Sequence, residues 1–252
     1  MGHNSGAEPQ SARSLTAMTG VRAAYWGTVP YAPAIRRMEA ARRERLEGKA
    51  RDTIFYLEHE PVVTYGRATP PEHLHREPHN LPLVEVGRGG LATYHGFGQL
   101  VGYCVIDLSV REGGRKPDLH EFLRALEDGL SRFLLRHFQL QAGPFPSHTG
   151  VWIHNPGPPR KIAAIGISVR RWVTAHGFAL NISTPLDAFR AIVPCGITEY
   201  ETTSVAHELE LAGRIFAHQP MKELARAVHP FLCEALHERG WCRASAPPPT
   251  KP

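Results

Sequence analysis

Four cysteines in 252 residues, Cys104, Cys195, Cys233 and Cys242, are too few and too scattered to staple a disulfide framework. No Cys-x-x-Cys pair marks a structural zinc site or a dithiol redox centre. Each cysteine therefore reads as a thiol, which fits a reducing compartment, and the cytoplasm is the expected location. No apolar run approaches the roughly 18 residues of a membrane span, so no membrane partner is expected. The chain contains neither a Gly-x-Gly-x-x-Gly fingerprint nor a Gly-Lys-Ser/Thr phosphate loop. Zinc-finger, RNA-recognition and helix-turn-helix patterns are also missing, and the aromatics do not interleave with a basic stripe. Nucleic acid is excluded on that basis, although the net charge is +5. With 42% apolar and 21% charged residues, disordered, collagen-like and coiled-coil chains are excluded too.

What is present reads as one α+β domain. Residues 1–21 lack periodicity and an apolar signal core, and are expected to form a disordered leader. Residues 243–252 are expected to form a disordered Pro-rich tail, and residues 22–242 the domain itself. The spacing predicts a helix over 33–47 stopped by Gly48, and strands over 53–57, 62–65, 83–86, 92–94 and 100–107. Asp118 followed by Glu121 is a capping box opening a long helix. Further strands are predicted over 151–153, 161–170 and, after a turn at Gly177, 178–182; a last helix follows Pro220. Arg36, Arg37, Arg42, Arg43 and Arg45 interleave with Glu39, Glu44 and Glu47, a pattern of a solvated helix face or of a docking face for an acidic partner.

Four segments carry chemistry-bearing residues in settings poor for packing. Arg88-Gly89-Gly90-Leu91-Ala92-Thr93-Tyr94-His95-Gly96-Phe97-Gly98-Gln99 surrounds polar side chains with glycines, which allow close backbone approach. Arg160-Lys161-Ile162-Ala163-Ala164-Ile165-Gly166 opens an apolar strand with a lysine. Ala175-His176-Gly177-Phe178-Ala179-Leu180-Asn181 is the third segment, and Pro194-Cys195-Gly196 places a lone thiol between two turn formers. Taken singly, each also reads as a hairpin turn, a solvent-facing lysine, or an inert cysteine.

In this order the segments resemble the lipoyl(octanoyl) transferase family, the octanoyl-acyl-carrier-protein:protein octanoyltransferases. That family shows R-G-G-x-x-T-Y-H-G-P-G-Q, then G-V-W, K-I-A-x-x-G, H-G-x-A-L-N and P-C-G, and this chain has each, with Gly150-Val151-Trp152 as the second. Residues 58–67 are similar to its H-x-P-V-x-T-x-G-R element. The chain departs from the pattern at Phe97 and Cys104, where proline is usual, and at Val193, where a polar residue is frequent.

The resemblance implies a single biotin/lipoate protein ligase-like catalytic domain, with a mixed, mostly antiparallel sheet and flanking helices. It implies transfer of an octanoyl group from octanoyl-acyl-carrier protein to a lysine on lipoyl domains of 2-oxoacid dehydrogenases or the glycine-cleavage H protein, with no cofactor and no metal. By motif, Cys195 is the nucleophile and Lys161 its partner. Arg88, Gly89, Gly90, Leu91, Ala92, Thr93, Tyr94, His95, Ala164, Ile165, Gly166, Gly177, Phe178 and Ala179 would line the substrate, with Ala163 a further tunnel wall. No obvious Asp stands near Cys195 for a Cys-His-Asp triad, so His95 and His176 read as positioners or oxyanion-side donors rather than the main base. Three rival readings stand beside this one. One is an ATP-dependent lipoate or biotin ligase, which needs a third loop glycine that is absent after Gly90; another is a binding module without activity. The last is a zinc site from His73, His75 and His79 or from Cys233, His237 and Cys242, whose spacings are loose.

Overall fold

A computed structural model describes residues 20–67, 69–74, 81–88, 91–146, 148–154, 157–192 and 200–241. Residues 1–19 of the expected leader, the expected tail, Gly89, Gly90, His75, His79, Cys195 and Cys242 lie outside the described residues. Val21, at the end of the expected leader, is instead buried in the core beside α4, its carbonyl bonded to His229 Nε2 (3.2 Å), because it leads directly into β1. The strands are β1 (Arg22–Val29), β2 (Thr53–His59), β3 (Val62–Gly66), β4 (Leu83–Val86), β5 (Thr93–His95), β6 (Gln99–Val105), β7 (Ala142–Phe145), β8 (His148–Ile153), β9 (Arg160–Arg170), β10 (Val173–Asn181) and β11 (Glu201–Thr202). The α-helices are α1 (Tyr31–Leu46), α2 (Leu119–Phe133), α3 (Val205–Leu211) and α4 (Met221–Glu238).

The larger sheet runs β1-β2-β6-β10-β9-β8-β7, with β11 beside the start of β9. Only β1–β2 and β9–β11 pair parallel within it; the other pairs are antiparallel. A smaller sheet has the order β4-β3-β5. The expected mixed, mostly antiparallel sheet with flanking helices is what the chain forms. α1 connects the parallel pair β1 and β2, as such a connection must be long enough to cross over the sheet.

Strand alternation sends the residues of the large sheet to two different layers. On one face α2 and α4 pack together, burying Phe122, Leu126, Leu130 and Phe133 against Leu224, Val228, Leu232 and Leu236 over Ile54, Leu100 and Leu180 of the sheet. Asp118 caps α2 by accepting from the amides of His120 (2.8 Å) and Glu121 (3.1 Å). The Glu121 carboxylate is bound to the buried Arg111 guanidinium, a stronger partner than the N-cap amide that a capping box would offer it. On the other face α1 sets Ala34 and Met38 against Val101, Tyr103, Val105, Ala175 and Ala179. Tyr31, at the start of α1, joins Val62 and Val86 of the small sheet.

Two features correct the sequence reading. The hairpin between β9 and β10 turns at Arg171 and Trp172, both at positive φ (46° and 64°), not at Gly177. Gly177 lies within β10, where a Cβ would stand 1.9 Å from the Gly102 carbonyl oxygen, so glycine there serves close strand approach. The short or half-exposed elements β1, β7, β11 and α3 carry no clean hydrophobic alternation, and the periodicity does not reveal them.

Candidate active site

The motif residues converge between the large sheet and the small one. Arg88, Leu91, Ala92, Thr93 and His95 come from the small sheet and its approach, Ala164, Ile165 and Gly166 from β9, and Gly177, Phe178 and Ala179 from β10. Together they line one slot of about 60 Å³. Tyr94 is turned away: its ring packs with Val63 and Phe189, because alternation along β5 sends it opposite to Thr93 and His95. Ala163 likewise faces the helical core. Tyr31, Val101, Tyr103 and His176 complete the slot, and of these only His176 belongs to the four motif segments. Tyr31, Val101 and Tyr103 lie outside the motifs, and only the folding of α1 and β6 onto this face reveals them.

Neutral imidazoles and phenols support the slot. His59 Nδ1 donates to the Val29 carbonyl (2.9 Å), so Nε2 carries no proton and accepts from Tyr103 Oη (2.7 Å). Gln99 Nε2 donates to the Tyr94 carbonyl (3.1 Å) and to Asn181 Oδ1 (2.9 Å). Gln99 Oε1 is thereby an acceptor, and His95 Nδ1 donates to it (2.8 Å), leaving His95 Nε2 unprotonated. Asn181 Nδ2 continues the chain to the Thr203 carbonyl (2.9 Å). Burial pushes His59 and His176 down to about 4, and the nearby Arg88 guanidinium adds to the effect at His176. Burial, then His59 and Arg88, hold His95 well below its ordinary range. Arg88 itself donates to Thr64 Oγ1 (2.8 Å) and to the Leu91 carbonyl (3.1 Å), which fixes the chain on either side of Gly89 and Gly90. His176 sits at φ 61° within β10, its amide 3.0 Å from Met38 Sδ.

Lys161 stands at the head of β9, three residues before Ala164, or about 10 Å along the strand. Its ammonium lies 5.0 Å from the centre of the Trp152 ring. Gly150 makes room for it. At φ 134° a Cβ there would stand 2.6 Å from the Ala163 carbonyl oxygen and 2.8 Å from Lys161 Cε. The Gly150 amide is held by Glu127 Oε1 (2.9 Å), reaching up from α2. On the other side of β9, Thr202 pairs with Lys161, and the Thr203 amide donates to the Lys161 carbonyl (2.9 Å). A buried Arg160–Glu208 pair (2.7 and 2.9 Å) and the Thr203–Glu208 bond (2.6 Å) lock this corner.

Cys195 falls within 193–199, outside the described residues. The last described residue before it, Ile192, is buried with Val63 and Tyr94 under the small sheet. The first after it, Tyr200, meets Trp152 edge-on at 5.6 Å, the same ring that faces Lys161. Cys104 and Cys233 are buried in the helical core, where burial pushes the Cys104 thiol far up. Cys233 contacts His229, whereas His237 is exposed on α4. Phe97 is exposed at the β5–β6 turn, where proline is usual in the family motif.

Residues 30–228 match the family model of the lipoyl protein ligase A/B catalytic domain. The chain is 39% identical over 232 residues to an octanoyltransferase of Myxococcus xanthus, covering 89% of this chain but only 61% of that protein. It is 39% identical over 240 residues to an octanoyltransferase of Clavibacter michiganensis subsp. michiganensis, covering 93% of this chain and 94% of that one. Among solved structures, lipoate-protein ligase A bound with ATP superposes with a TM-score of 0.63 at 18% identity, over 87% of this chain and 86% of that one, a likeness of fold. With the catalytic-domain match and this identity over nearly its whole length, the chain belongs to the octanoyltransferase family of acyltransferases, on the lipoate/biotin ligase fold.

Proposed function

We propose that the chain transfers an octanoyl group from octanoyl-acyl-carrier protein, through a thioester on Cys195, to a lysine of lipoyl domains of 2-oxoacid dehydrogenases and of the glycine-cleavage H protein. The observation that carries this reading is the run of β9: Lys161 opens the strand, a register irregularity follows it, and Ala164 and Gly166 further along line the slot. Small residues leave room for the chain, and each buried methylene contributes about 0.8 kcal/mol to holding it.

The Lys161 ammonium stabilises the Cys195 thiolate. The thiolate attacks the donor carbonyl, the bond from that carbon to the carrier sulfur breaks, and the leaving thiolate takes its proton from Lys161. The acceptor lysine, as a free amine, then attacks the acyl-enzyme. Its proton passes to the now neutral Lys161, the carbon–sulfur bond to Cys195 breaks, and thiolate and ammonium are restored. The anchoring of Lys161 by Gly150, Trp152 and Thr203 supports this role, because a base must be held in place to be effective.

Intact-mass measurement after mixing with octanoyl-acyl-carrier protein tests it. One octanoyl-for-hydrogen exchange should appear, map to Cys195 and disappear when a lipoyl domain is added. Cys195→Ala should lose both half-reactions while keeping its fold, and Cys104→Ala and Cys233→Ala should keep them. A Cys195→Ala protein that transfers at the wild-type rate would sink the acyl-enzyme route.

A further inference from the structure

Two cavities meet at Tyr31 and His176. The slot lies over Ala164 and Gly166 of β9, and a second, wider cavity of about 620 Å³ lies over Ser168 and Arg170 of the same strand. The approach to the small sheet does the same: Val86 and Gly87 line the second cavity, and Arg88, the next residue, lines the slot. Two stretches of backbone therefore pass directly from one cavity into the other. Same-side residues of a strand stand about 7 Å apart, so the second cavity begins one such step beyond the slot, on the side away from Lys161. Tyr31 and His176 are the residues common to both linings.

Both are held firmly. The Tyr31 ring is 7% exposed, nearly parallel to His95 (13°, centroids 6.1 Å apart) and 5.1 Å from His59. His176 meets Tyr103 edge-on at 6.1 Å and sits in the left-handed backbone region, which a non-glycine residue occupies only at an energetic cost. Behind them the second cavity is mixed: Ile35, Val84 and Val86 offer apolar surface for further methylenes beside the charged Glu39, Arg42, Glu85 and Arg170.

We infer that Tyr31 and His176 form the end wall of the acyl slot and set the longest chain that the enzyme accepts. This rests on the reading that the acyl chain lies in the slot with its carbonyl toward Lys161. A chain longer than octanoyl meets these two rings, and removing either joins the slot to the second cavity. The wall is a specificity device, with no part in bond making.

The test is the chain-length profile of single-turnover acyl transfer, with hexanoyl to tetradecanoyl carrier-protein thioesters, for wild type, Tyr31→Phe, Tyr31→Ala and His176→Gly. Glycine takes φ 61° without strain, so His176→Gly removes the ring without burdening the backbone. The ratio of kcat/KM for dodecanoyl over octanoyl should rise at least tenfold in Tyr31→Ala and His176→Gly and stay at the wild-type value in Tyr31→Phe. Loss of folded protein lowers both rates alike and leaves that ratio intact. An unchanged ratio in both ring-removing variants overturns the end wall. An octanoyl chain carrying a terminal diazirine separates this from failure of the parent reading. Photolabelling at Tyr31 or His176 supports the wall, labelling at other slot residues overturns the wall alone, and labelling outside the slot overturns the placement of the chain.

Discussion

The two faces of the large sheet are built on opposite plans. The face under α2 and α4 is almost wholly apolar, with Phe122, Leu126, Leu130, Leu232 and Leu236 fully buried. The face under α1 and the small sheet buries His59, His95, His176, Gln99 and Asn181, and accepts a residue at positive φ within a strand. Burying polar groups stabilises little even when all are paired, and burying imidazoles commits them to the neutral form. The helical face therefore supplies the stability that lets the other face hold a preorganised site.

The sharpest way to separate the faces is to remove a group from each. Lys161→Ala on the site side should lower the rate of transfer from acyl-enzyme to a lipoyl domain by about 10²–10⁴-fold. It should cost acyl-enzyme formation less and leave the thermal midpoint within a few degrees. Single-turnover rates for the two half-reactions, beside a melting curve, check this. Alkylation of Cys195 against pH should also shift toward the free thiol value near 8.5 in the variant. Identical alkylation curves in the two proteins would remove Lys161 as the activating cation.

Phe122→Ala on the helical side should do the reverse. It should cost about 3–5 kcal/mol in urea unfolding, as large-to-small core substitutions do, while the rate per folded molecule stays within twofold. A collapse of that rate in protein shown to be folded would mean that the two faces are not separable.

Acid should act mainly through the site face. His59 and His176 titrate near 4 when folded and near 6.5 when unfolded, so between those values the unfolded chain binds more protons. Stability is then fully present above about pH 6.5 and falls as pH drops toward 4, by up to ~1.4 kcal/mol per pH unit for each such group. His95 acts in the same direction, as does His229 on the helical face. Unfolding free energies at pH 7.5 and 5 check this, and His59→Gln should flatten the slope by at most one group. A steeper slope in His59→Gln than in wild type would refute the assignment.

The smallest effect is expected on α1. Arg42 and Arg45 are engaged with Glu39 (2.6 Å) and Asp52 (2.6 Å), which leaves Arg36, Arg37 and Arg43 as the exposed arginines of this helix. Reversing Arg36 and Arg37 to Glu should raise KM for an acidic carrier protein several-fold at low salt, leave kcat alone and converge with wild type at high salt. An unchanged KM at low salt would place the docking surface elsewhere.

How far each face could be read from the residues differs for a physical reason. The helical face declares itself by period: Leu119, Phe122, Leu126, Leu130 and Phe133 repeat at helical spacing, and Asp118 caps them where expected. The site face has no such period, because its residues were chosen for chemistry and close approach. There, Arg88, His95, Lys161 and Gly166 were readable only as ordered motifs. Gly177 resembles a turn residue locally, because the Gly102 carbonyl that a Cβ would strike comes from a distant strand.

The residues by themselves determined the fold class, the family and the identity of most slot-lining side chains, because these follow from periodicity and from motif order along one chain. Only the tertiary structure decided that Tyr94 and Ala163 face away from the slot while Tyr31, Val101 and Tyr103 enter it. It alone ran the hydrogen-bond chain from His95 through Gln99 and Asn181 to Thr203, whose amide bonds the Lys161 carbonyl. Those outcomes depend on strand register and on which face each alternating residue meets. The pairing between β6 and β10, across some eighty positions of sequence, is fixed by packing and not by any local preference.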